Sequence, residues 1–64
     1  MNKNRLCIYA KDICLITGKG QKFAQKLLRD IRFVYQKEEH QFVTVQEFSD
    51  YTGIGMELIL KVVK

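Results

Sequence analysis

Between positions 21 and 36 the apolar residues Phe23, Ala24, Leu27, Leu28, Ile31, Val34 and Tyr35 recur at intervals of three and four. That spacing predicts an amphipathic helix of about four turns with one face turned inward. Upstream, 10–17 places Ile13, Leu15 and Ile16 where a short helix can bury them, and Gly18 can end that helix in a left-handed conformation. A polar stretch at 37–41 then interrupts the pattern. Beyond it Thr44 and Glu47 have the spacing of a capping box and predict a third helix over 45–52, with a fourth from 56 to about 63. The segments LCIY and QFVT are β-prone, and their pairing as a minimal two-stranded ribbon is left open. The expected fold is mostly α: a small four-helix domain of two helical hairpins, 10–36 and 44–64, within a single domain spanning 1–64.

The two halves also resemble each other. At an offset of 35 residues, Thr17, Gly18, Gly20 and Lys26 meet Thr52, Gly53, Gly55 and Lys61, while Asp12 meets Glu47 and Ile13 meets Phe48. The apolar residues Phe23, Leu27 and Leu28 meet Leu58, Val62 and Val63. Two copies of a unit made of a helix, a Thr-Gly-x-Gly corner and a second helix are inferred.

Charge separates what the hydrophobic pattern makes alike. Up to Lys37 there are nine Lys and Arg against Asp12 and Asp30, a balance of +7; from Glu38 onward two lysines face five acids, a balance of −3. A basic half points to a polyanionic partner more than to mere solubility. Other chemistry finds little material. Cys7 and Cys14 lack metal-ligand spacing and His40 is the single histidine, too few ligands for a zinc site, so both cysteines are expected to be reduced core residues. The Gly-Lys run at 18–22 has neither the spacing of a phosphate-binding P-loop nor that of a dinucleotide fingerprint, which would place a glycine where Phe23 stands. No catalytic grouping is visible, so no enzyme activity, cofactor or metal is expected. Neither a secretory leader nor a stretch long enough to span a membrane is apparent, so the protein is expected to be soluble and cytoplasmic.

The segment from Lys11 to about Ile31 resembles the helix-turn-helix of DNA-binding proteins, in particular the small regulators and excisionase-like factors of bacterial mobile elements. That pattern has a small residue four before the turn glycine, met by Cys14 before Gly18, and apolar residues five before and nine after it, met by Ile13 and Leu27. Ala24 is small, as the pattern expects. Thr17 and Lys19 depart from it, since apolar residues more often flank the glycine. The resemblance implies that the outer side of the second helix faces DNA. In the first hairpin those positions are Gly20, Gln21, Lys22, Gln25, Lys26 and Arg29, with Arg32 one turn on and Lys19 in the corner. Amide side chains suit adenine, Arg and Lys suit guanine, and neighbouring cations suit phosphates. The second hairpin has Gly55, Met56, Glu57, Leu60, Lys61 and Lys64 there, a set poorly matched to a polyanion.

A duplex-DNA-binding regulator or recombination accessory factor is therefore the expected function, with Lys19, Gln21, Lys22, Gln25, Lys26, Arg29 and Arg32 as its DNA-binding residues. Lys3 and Arg5 could extend it as an arm into a minor groove. Phe33 and Tyr35 are expected in the core or an interface, leaving no aromatic platform for single-stranded or RNA binding. The fourth helix is apolar around most of its circumference, which favours a homodimer formed through it. The competing expectation is a protein-interaction adaptor that binds no nucleic acid.

Overall fold

The computed structural model describes residues 6–63 and folds them into four helices, α1 (Ala10–Thr17), α2 (Gln21–Val34), α3 (Val45–Thr52) and α4 (Met56–Val62). The protein is thus a small all-α domain built from two helical hairpins. Lys3 and Arg5, the expected arm, and Lys64 lie outside the described residues.

Side chains and glycines set the helix ends. At the start of α3 the Thr44 hydroxyl accepts the Glu47 N–H at 3.0 Å and the Glu47 carboxylate accepts the Thr44 N–H at 2.9 Å, the reciprocal box expected from their spacing. At the start of α1 the buried Asp12 carboxylate accepts the Tyr9 N–H at 2.9 Å. Gly18 and Gly53 end α1 and α3 at φ 76° and 82°, a region costly for any residue with a Cβ. Their N–H groups donate to the Cys14 and Ser49 carbonyls, each at 2.8 Å. Thr17 donates to the Ile13 carbonyl at 2.7 Å and accepts the Lys19 N–H at 3.1 Å; Thr52 donates to the Phe48 carbonyl at 2.8 Å and accepts the Ile54 N–H at 3.2 Å. The two corners share these bonds, and the second adds one, from the Ser49 hydroxyl to the Ile54 carbonyl at 2.7 Å, where the first has Cys14.

Packing follows the same relation. α1 contacts α2 and α4, and α3 contacts α4 and α2, a pattern that is unchanged when each element is exchanged for its counterpart 35 residues away. Ile8 and Val43, themselves such a pair, sit side by side and are both buried, with the Ile8 N–H donating to the Val43 carbonyl at 2.9 Å. Ile13 with Phe48, Ala24 with Ile59 and Leu28 with Val63 fill the core as further pairs, joined by Ile31 and Val45. Burying a side chain the size of Ile31 or Phe48 contributes about 1.5–3 kcal/mol, so a handful of such residues holds a chain of this length together.

Some expected positions differ. α2 stops at Val34 rather than Gln36, because Gln36 takes φ 56° and the Gln36 and Lys37 N–H groups fold back onto the Phe33 and Arg32 carbonyls at 3.1 and 2.8 Å. Leu15, Val34 and Tyr35 are exposed although they were expected to face inward: Leu15 lies about 200° round α1 from the buried Ile13, and Val34 and Tyr35 follow Ile31, the last buried residue of α2. The β ribbon reduces to one antiparallel bridge between Cys7 and Thr44, with no strand among the described residues. The polar stretch at 37–41 is tied down. Arg32 Nε donates to the Gln41 carbonyl at 3.1 Å, the Gln41 side chain accepts the Glu38 N–H at 2.7 Å, and Lys37 Nζ lies 3.2 Å from the Glu47 carboxylate.

Candidate nucleic-acid interface

α2 buries Ala24, Leu28 and Ile31 toward α1 and α3, and this decides what its other side presents. Lys22, Lys26, Arg29 and Phe33, at successive steps of four, three and four, fall on the opposite face, and all four are exposed. Gln21, Gln25 and Arg32 form a second row beside them. Gln21 and Gln25 are exposed and Arg32 is half-buried.

The seven expected residues are not equally free. Lys22 and Arg29 have no ion-pair partner among the described residues. Lys26 pairs with Asp30 at 3.1 Å on the surface, where solvent keeps such a pair weak. Lys19 Nζ lies 5.6 Å from the centre of the Phe23 ring, a cation–π contact that holds it beside the first turn of α2. Arg32 commits Nε to the Gln41 carbonyl and keeps its two terminal nitrogens for other partners. The structure thus brings Lys22, Lys26 and Arg29 into one stripe, with Gln21 and Gln25 alongside, and assigns Arg32 a second task.

The helix start adds to the positive character. Gly20 caps α2 without a side-chain hydrogen bond, and the first turn contains no acid. Its outward N–H groups and Lys22 therefore act in the same direction on an anion. In α4 the counterpart of Lys22 is Glu57, an acid in the first turn, so the same backbone feature is neutralised. Two similar hairpins thus carry opposite electrostatics.

Of the two expected places for Phe33, the core is excluded, because the side chain is 83% exposed. It stands on the cationic face, so an aromatic platform does exist there. Together with Arg29, Arg32, Lys37 and Glu39 it lines an open groove of about 350 Å³ at the C-terminal end of α2. Sequence spacing could have found Phe33, because it continues the 22–26–29 stripe. Lys37 and Glu39 could not be found that way, since the chain reverses at Gln36 before reaching them.

Lys37 is also the partner that tunes Glu47. Burial pushes the Glu47 carboxyl up, but the Thr44 backbone N–H and the nearby Lys37 ammonium outweigh it and hold the group below its ordinary value of 4.5. Elsewhere, Cys7 and Cys14 are free thiols, both half-buried. Among the described residues no three His, Cys, Asp or Glu side chains gather as a metal ion would require. No helix of the described residues is long and apolar enough to cross a membrane. No protein-family model, no curated protein and no solved structure matches the chain.

Proposed function

We propose that this chain binds duplex DNA, with α2 entering the major groove, and acts as a transcriptional regulator or recombination accessory factor. The observation that carries the reading is the exposed stripe Lys22, Lys26 and Arg29, backed by a buried face that fixes its direction. In this reading Lys19, Lys22, Lys26, Arg29 and the free end of Arg32 neutralise phosphates. Gln21 and Gln25, beside them, contact base edges. The burial of Ile13 and Ala24 and the left-handed Gly18 agree with the helix-turn-helix pattern that the sequence resembles. α4 leaves Leu58 and Val62 exposed, flanked by Glu57 and Lys61, so an antiparallel pairing of two α4 helices would match leucine with valine and acid with base. Such a homodimer would present two copies of α2 to successive turns of a duplex.

The test is anisotropy of a labelled random duplex at rising salt, run beside gel filtration. Affinity falls with a log–log slope of about −0.9 per phosphate neutralised, so three to five contacts give roughly −3 to −4.5. Replacing Lys26 and Arg29 together by Ala abolishes binding with the helical circular dichroism intact, and Gln46→Ala, on the exposed side of α3 and outside both the stripe and α4, leaves binding unchanged. A flat salt response, or equal losses in the two variants, refutes the reading. A clean dimer that shifts no DNA would instead favour the adaptor.

A further inference from the structure

In the groove at the C-terminal end of α2, Arg29 and Arg32 would reach the backbone phosphates, but Phe33 and Glu39 have no task in a contact between α2 and intact base pairs. Phe33 lies eleven residues beyond Lys22, about 16 Å along the helix axis, on the same cationic face. Base pairs inside a duplex are stacked on their neighbours and offer no ring face to a phenyl group; a nucleotide that has left the stack does. From the composition of this groove we infer that it receives one unpaired nucleotide next to the duplex held by α2. The inference rests on the duplex-binding reading and adds a substrate preference to it, for DNA with a single-stranded extension.

The lining residues divide the work. The 83%-exposed Phe33 ring supplies the stacking surface. Arg29, with no partner among the described residues, and the terminal nitrogens of Arg32 supply charge for the nucleotide's phosphate. Glu39, also in the lining, would repel a bare inorganic anion but accepts hydrogen bonds from a base amino group, so the groove suits a nucleotide better than a phosphate. The walls are held before any ligand arrives. Arg32 is anchored on the Gln41 carbonyl at 3.1 Å, and Lys37 is anchored on Glu47 at 3.2 Å and by its own N–H on the Arg32 carbonyl at 2.8 Å. Anchoring of this kind lowers the ordering cost of binding.

The experiment compares a blunt duplex with the same duplex carrying a three-nucleotide single-stranded extension, by fluorescence anisotropy. The extended duplex binds about tenfold tighter, the order expected for stacking one base on an aromatic ring. Phe33→Ala removes that advantage and keeps the blunt-duplex affinity. Since the chain contains no tryptophan, Phe33→Trp gives a single reporter whose emission is quenched by the extended duplex and not by the blunt one. Three results would each overturn the inference while leaving duplex binding standing: equal affinity of the wild-type protein for both duplexes, an advantage that survives Phe33→Ala, or unquenched emission from the Phe33→Trp variant with extended DNA bound. If the blunt duplex is not bound at all, the duplex reading fails. The extension alone, offered as a free single strand, then decides the groove: quenching upholds it and no quenching removes it.

Discussion

Replacing Glu47 by Gln isolates the ion pair that ties the end of α2 to the start of α3. The amide oxygen still accepts the Thr44 N–H, so the cap survives, while the charge facing Lys37 at 3.2 Å is lost. The two side chains are 19% and 23% exposed, between the surface pairs worth up to about 1 kcal/mol and the charged hydrogen bonds worth about 1.5–3. A loss of about 1–2 kcal/mol follows, which in a chain of this size lowers Tm by roughly 5–15 °C. Because the folded-state carboxyl titrates below its ordinary value of 4.5, its contribution is fully present above that pH and disappears as pH falls through the lower folded value. Urea denaturation followed by circular dichroism at pH 7 and at pH 3 should therefore show a gap between wild type and Glu47→Gln that narrows in acid. Lys37→Met should cost a similar amount, and the double variant little more than either single one. A gap of equal size at both pH values, or simple additivity, would refute the assignment of the pair.

Gly18→Ala should destabilise by about 1–2 kcal/mol, because φ 76° is costly for alanine; nothing lies within 4 Å of the added carbon, so the penalty is conformational and not steric. Gly20→Ala, at φ −85° with equally open surroundings, should cost less, and thermal melts that reverse the order would show that the corner is not set by backbone conformation. Asp30→Asn releases Lys26 and removes the acid beside the stripe, so duplex affinity should rise several-fold and the salt slope steepen by up to about 0.9. Weaker binding in anisotropy titrations would mean that Lys26 depends on Asp30 for its position.

How far the chain could be read in advance depended on whether the cause was local. The bounds of α1 and α3 follow from caps and glycines within four residues of each end, and both were legible. The end of α2 was not. Gln36 is an ordinary residue in sequence, yet it adopts the left-handed conformation that glycine usually supplies, stopping the helix at Val34, one residue before its apolar periodicity ends at Tyr35. The same turn places Lys37 and Glu39 beside Arg29, Arg32 and Phe33, so the groove exists only because the chain reverses there. Leu15 and Val34 illustrate the complementary limit. Leu15 lies about 200° round α1 from the buried Ile13, and Val34 lies one turn beyond Ile31 at the end of α2, so packing against the other helices, and not spacing, decides that both stay exposed.

By itself the sequence determined four helices, their corners, the core pairs Ile13 with Phe48 and Leu28 with Val63, and the separation of a cationic hairpin from an acidic one. Those features rest on periodicity, capping and charge, each expressed within a few residues of chain. Tertiary structure alone decided that Lys22 and Arg29 are unpaired among the described residues, that Arg32 and Lys37 are anchored to the 37–47 segment, and that Lys37 and Glu39 share a groove with Phe33. These depend on contacts between segments whose approach is set by how α2 packs on α1 and α3, and no local pattern encodes that approach.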